Sequence, residues 1–83
     1  MQDDRESVIG RIEKDIRMFD DAVKTVKTEE RELVRVVEMS KLYAKDSRSY
    51  LDKGDLFTSF SCISYAHGLL DAVRSITGLI LKE

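Results

Sequence analysis

Charged residues are unevenly distributed along this 83-residue chain, and that asymmetry constrains its fold more than any other feature. Residues 1–54 carry 25 charged side chains, whereas residues 55–83 carry five. The first part can therefore expose much more of its surface to water than the second. The composition, 42% hydrophobic and 36% charged, is too apolar for a disordered chain and too charged for a membrane protein. We therefore expect one soluble domain spanning residues 1–83, near the size at which a partner adds useful stability.

The spacing of the apolar residues predicts an all-α fold. The chain has no proline, and apolar residues recur at steps of three and four rather than two. We predict three helices at about 4–26, 29–52 and 56–81, whose matched lengths favour an up-and-down three-helix bundle. The core stripe of the second helix is small in its middle and consists of Leu33, Val37, Ser40, Ala44, Ser47 and Leu51.

The two turns are predicted with different precision. Gly54 occupies the position of a C-terminal glycine in a left-handed conformation, and Asp55 is placed to cap the third helix. We expect both residues to set the packing of helices two and three. Between helices one and two no glycine or proline marks a break, although Thr28 could cap a new helix. We favour a break near Lys27, and the alternative is one continuous helix that folds against helix three and is completed by a second chain.

The third helix is more apolar than one small bundle requires, because its apolar arc covers about half the circumference. This arc is either ordinary core or, in part, a dimer surface that includes Leu79, Ile80 and Leu81. A ridge of small residues runs beside it, formed by Ser61, Ser64, Gly68, Ala72 and Ser75. A mid-helix glycine costs about 1 kcal/mol relative to alanine, so we predict that Gly68 and Ala72 serve helix packing, against either helix two or a second copy.

A polar rim is the candidate binding site. His67 and Asp71 are one helical turn apart, so the Asp71 carboxylate could accept a hydrogen bond from the His67 imidazole. The predicted binding residues are Tyr43, Arg48, Ser64, His67, Asp71 and Arg74. We expect no catalytic residue, cofactor or metal, because the chain has no phosphate-binding glycine loop and its single histidine and single cysteine, Cys62, lie five residues apart on different faces.

Helix two carries a basic run that glutamates interrupt: Arg31, Arg35, Lys41, Lys45 and Arg48, with Glu38 among them. Because the net charge is −2, nucleic acid is not the expected partner. An acidic N-terminus without a basic, then apolar, secretory pattern predicts a cytoplasmic protein. The leading hypothesis is a non-enzymatic module that self-associates or docks on a protein through helix three. The alternative is a nucleotide- or RNA-binding module on the polar rim of helices two and three.

Several residues between positions 30 and 76 resemble a known family. Tyr43, Asp46, Tyr50-Leu51, Lys53-Gly54-Asp55 and the run from Tyr65 to Ala72 are similar to the core motif of an archaeal family, domain of unknown function 357. The resemblance implies a small archaeal protein with a three-helix up-and-down bundle and no established biochemical activity. Thr58 and Ser59 depart from the alanine expected there, which leaves the local packing open.

Overall fold

The chain forms an antiparallel bundle of three helices. The computed structural model describes the backbone of residues 2–82 and the side chains of residues 4–78. The helices are α1 (Gln2–Val23), α2 (Arg31–Asp52) and α3 (Leu56–Lys82), and no strand occurs within the described backbone. The Cα envelope measures 48 × 21 × 15 Å, as expected for a bundle as long as its helices. The predicted all-α three-helix architecture is confirmed.

The connection between α1 and α2 is a true break, so the alternative of one continuous helix is wrong. Residues 24–30 are not helical, and α1 ends three residues before its predicted boundary. Thr28 does not cap α2. Its hydroxyl accepts a hydrogen bond from the Glu30 N–H at 3.1 Å and closes the turn before the helix. Glu30 is the N-cap residue, in an extended conformation.

The turn between α2 and α3 has the geometry that the sequence predicts. Gly54 adopts a φ of 82°, a backbone conformation that residues with a side chain rarely adopt without strain. The Gly54 N–H donates to the Leu51 carbonyl and the Asp55 N–H to the Tyr50 carbonyl, both at 3.0 Å, the pairing of a Schellman C-cap. The Asp55 carboxylate then accepts from the Thr58 N–H at 3.2 Å and caps α3.

The core lies mainly between α2 and α3, which make the most extensive contact in the chain, while α1 covers one side of this pair. The small middle of the α2 stripe is buried as predicted, at Val37, Ser40, Ala44 and Ser47. The remaining buried apolar residues are Ile12, Ile16 and Phe19 of α1 with Ile63, Ala66, Leu70 and Val73 of α3. Small side chains therefore allow α2 and α3 to approach closely, and larger ones fill the contact with α1.

Two buried serines join α2 to α3 and account for the unexpected residue at position 59. The Ser47 hydroxyl donates to the Ser59 carbonyl at 2.8 Å. The Ser59 hydroxyl donates to the Ser47 carbonyl at 2.7 Å, and the two hydroxyl oxygens are 3.1 Å apart. Among the described side chains no buried polar atom lacks a hydrogen-bond partner. We call this pair the serine clamp; an alanine at position 59 would lack the hydroxyl that completes it.

Candidate functional site: the outer face of α3

The surface of α3 that points away from α1 and α2 carries almost no charge. Its exposed residues, which we call the outer α3 face, are Phe57, Phe60, Ser61, Ser64, Tyr65, Gly68, Asp71, Ala72, Ser75 and Ile76. Asp71 is the one charged residue of this set, and Arg74 at its edge lies 3.8 Å from the Asp71 carboxylate. An exposed helix face with so few charges and four exposed large apolar side chains is typical of an interaction surface.

The small-residue ridge belongs to this outer face and not to the contact with α2. Gly68 and Ala72 are exposed, and a Cβ added at Gly68 would meet no atom within 4 Å. The alternative in which the ridge packs against helix two is therefore wrong. Ile63, Leu70 and Val73 bury more apolar area than serine, glycine and alanine can, so their side of α3 faces the core. The other alternative, packing against a second copy, stays a prediction.

His67 does not form the predicted pair with Asp71. Its Nε2 lies 2.8 Å from the main-chain oxygen of Asp15 in α1, and its ring packs edge-on against Phe19 with centroids 5.7 Å apart. Asp71 is exposed and lies beside Arg74 instead. The reason is rotational: His67 lies at the α1 border of α3, where a half-buried ring gains a hydrogen bond and an aromatic contact. His67 is therefore a packing residue in this fold.

Tyr43 and Arg48 lie on other sides of the bundle. The Tyr43 ring packs edge-on against Tyr65 across the α2–α3 border, with centroids 4.6 Å apart. Arg48 reaches across to α1 and forms an ion pair with Asp20. This ion pair joins α1 to α2. Of the predicted binding residues, Ser64, Asp71 and Arg74 lie on or beside the outer α3 face, whereas His67, Tyr43 and Arg48 line three different borders.

Basic residues of α2 are exposed, but two are engaged with acids. Lys41 lies 3.2 Å from the Glu38 carboxylate, and Arg48 is held by Asp20. Such exposed pairs contribute only about 0–1 kcal/mol to stability, yet they reduce the free positive charge on this helix. The basic run consequently presents a mixed surface rather than a continuous positive stripe.

Phe57 is not among the predicted site residues. It lies one helical turn before Ser61, and this spacing could have placed it on the same helix face as the ridge of small residues. Its side chain is 83% exposed, and with Phe60, Leu56 and Val8 it lines a groove of about 460 Å³ between the N-terminal parts of α1 and α3. The groove is continuous with the outer α3 face because Phe57 and Phe60 belong to both. The side chains of Leu79, Ile80 and Leu81, predicted as part of a dimer surface, lie outside the described residues.

Cys62 lies beside Tyr43, Ser61 and Tyr65 at a shallow pocket. Partial burial raises the pKa of the Cys62 thiol, and the negative charges of Asp46 and Asp55 raise it further. A thiol in such surroundings is a poor nucleophile because the thiolate is disfavoured. Among the described residues, no group of histidine, cysteine, aspartate and glutamate side chains is placed to hold a metal ion.

The fold and the site define a small all-α bundle with one outer helix face that carries a single charged residue. A family model described as protein of unknown function (DUF357) matches residues 14–79, and the chain belongs to this family. The matched segment contains the C-terminal part of α1 from residue 14, the whole of α2 and the α2–α3 turn, and most of α3. No curated protein matches the chain. Within the described residues, no helix is both long enough and apolar enough to cross a membrane.

Proposed function

We propose that this protein is a non-enzymatic interaction module that docks on a protein surface through the outer α3 face. The observation that carries the proposal is the exposure of Phe57, Phe60, Tyr65 and Ile76 on one helix face. A face of this kind loses apolar contact with water when a partner covers it, which favours association.

The chemistry at the remaining positions supports a binding role over a catalytic one. The His67 nitrogen is engaged by the Asp15 main-chain oxygen, and the pKa of the Cys62 thiol is raised. The Asp15 oxygen holds the half-buried His67 ring against α1, and the Cys62 thiolate is disfavoured, whereas acid–base and nucleophilic catalysis need a reactive side chain beside an open reaction space.

The proposal is tested by comparing two glycine variants of the tagged full-length chain in the cells that produce it. Gly68 lies in the outer α3 face, and Gly10 is an exposed helical glycine of α1; an added Cβ meets no atom within 4 Å at either position. We expect Gly68→Leu to lose protein partners, including a second copy, that Gly10→Leu and the unmodified chain retain. Identical partner sets for all three proteins, or no protein partner for any, would overturn the proposal.

The nucleotide- or RNA-binding alternative stays a prediction, and the separation of Tyr43, Arg48 and His67 onto different borders weakens the case for one shared pocket. Retention of RNA or a nucleotide at low salt, lost in Arg48→Ala, would favour it. We also propose that the protein is archaeal, as the family resemblance implies, and that it acts in the cytoplasm, as its acidic N-terminus predicts. Fractionation of the producing cells would check the second point.

A further inference from the structure

Building on the proposed docking role of the outer α3 face, we propose that its partner is a second copy of this chain, bound antiparallel with Gly68 at the two-fold axis. The basis is a match in size and charge between the two halves of the face. The presence of small residues alone is not a sufficient basis, because an added Cβ would also meet no atom within 4 Å at the helical glycines Gly10 and Gly78.

The surroundings of Gly68 differ from those of Gly10. One turn to either side of Gly10 the chain carries Glu6, Ser7, Glu13 and Lys14, all exposed, and three of these four side chains are charged. One turn to either side of Gly68 it carries Ser64, Tyr65, Asp71 and Ala72. The second set combines a bulky ring, small side chains and a hydroxyl with a single charge. Of these two glycines, Gly68 is therefore the one at the centre of a surface that another helix can approach.

Helical geometry decides which residues meet in an antiparallel pair. A residue three positions before the two-fold axis on one helix faces the residue four positions after the axis on the partner helix. The two lie on the same side of the interface, and their heights along the helix axis differ by about 1.5 Å. Tyr65 of one copy therefore meets Ala72 of the other, so a large ring faces a small side chain. The same rule places the Asp71 carboxylate beside the Ser64 hydroxyl, which can donate a hydrogen bond to it. Each contact occurs twice because the pairing is two-fold.

The charges of the face allow this pairing. Asp71 lies beside Arg74 of its own chain, and the antiparallel register sets each Asp71 opposite a serine rather than opposite its own copy. A parallel pair would bring the two Asp71 side chains to the same height, where like charges repel. The charges therefore favour an antiparallel over a parallel arrangement of the two α3 helices.

The interface centres on one pair of helices, so its area lies at the low end of specific interfaces and the expected dimer dissociates in the micromolar range. Sedimentation equilibrium of the full chain from about 1 μM to 1 mM covers that range. We expect Gly68→Leu to weaken dimerisation at least tenfold, because two leucines would collide at the axis, whereas Gly10→Leu leaves it within twofold. Ser64→Glu, which sets an acid beside the partner's Asp71, should also weaken it at least tenfold, and Ser64→Lys should retain or tighten it.

The antiparallel arrangement of the two copies can be tested separately, by measuring the distance between spin labels. In a Cys62→Ser background, Ser61→Cys carries a spin label seven residues before the axis, so antiparallel copies separate the two labels by about 21 Å along the helices. A parallel pair would place the labels side by side. A distance distribution near the antiparallel value supports the inference, and a single short distance overturns it.

A chain that is monomeric at 1 mM overturns this inference, and so does a dimer that Gly68→Leu leaves intact. If the monomeric chain still binds a different protein in a manner that Gly68→Leu abolishes, the docking role stands and only the identity of the partner is wrong. If it binds no protein at all, both proposals fail.

Discussion

The chain contains two stripes of small residues, and they have opposite environments. The buried stripe, Ser40, Ala44 and Ser47 of α2 with Ser59 and Ala66 of α3, lies between two helices and has its hydroxyls paired. The exposed stripe, Ser61, Ser64, Gly68, Ala72 and Ser75, lies on the outer α3 face. Composition is nearly the same in both. The difference teaches that small residues permit close approach, while the larger neighbours on the same helix determine which side faces the core.

The largest expected contrast is between two alanines. Ala44 is 2% exposed at the α2–α3 contact, so Ala44→Leu should overpack it and lower the free energy of unfolding by about 1–3 kcal/mol. Ala72→Leu, on the outer α3 face, should change it by less than about 0.5 kcal/mol in the monomer. Urea unfolding followed by circular dichroism, at concentrations below dimerisation, measures both. Equal losses would contradict the assignment of the two stripes.

A second contrast concerns serine hydroxyls. Ser59→Ala removes one donor of the serine clamp and should cost about 1–2 kcal/mol, whereas Ser64→Ala should leave the unfolding free energy almost unchanged. Because the two hydroxyl oxygens are 3.1 Å apart, the double variant with Ser47→Ala should be less destabilised than the two single losses added together. Additive losses would show that the two serines act independently.

The glycines give a contrast of sign. Gly54→Ala forces a methyl-bearing residue into a φ of 82° and should destabilise the fold by about 1–2 kcal/mol. Gly68→Ala should stabilise the monomer by up to about 1 kcal/mol, because alanine favours a helix and the added Cβ meets no neighbour. Thermal unfolding of the two variants under identical conditions checks the sign; destabilisation by Gly68→Ala would mean that the outer face is covered within the monomer.

The smallest effect concerns Cys62, which lies between the two stripes on α3. Burial and the nearby carboxylates raise the pKa of its thiol, so at pH 8 the thiolate fraction is smaller than for an ordinary cysteine. Alkylation by iodoacetamide should therefore be slower in the folded chain than in urea, and Asp46→Asn should speed it modestly. A folded chain that reacts faster than the unfolded one would contradict the direction of the shift.

Most of the fold could be predicted from local sequence patterns. The three-four spacing gave the helices, and Gly54 with Asp55 gave the turn, because capping depends on a few adjacent residues. The end of α1 at Val23 and the N-cap at Glu30 were harder to predict, since no glycine or proline marks that connection.

The candidate site was predicted less well, because its geometry depends on how the helices are rotated against one another. Spacing alone places His67 and Asp71 one turn apart, but the packing of α1 turns His67 toward Asp15. The role of Ser59 could not be inferred either, as its partner Ser47 lies on another helix. In contrast, the near absence of charge along α3 was visible in the sequence, although the side of α3 that faces outward could not be predicted from it.

The most direct test of the central claim is a dilution series of amide nitrogen–proton NMR spectra on the full chain. If the outer α3 face binds a second copy, signals from Ser64, Tyr65, Gly68 and Ala72 should shift or broaden with concentration, while those of Ser40 and Ala44 stay constant. Spectra that do not change up to about 1 mM, or changes that map to α2 or to Gly10 instead, would contradict it.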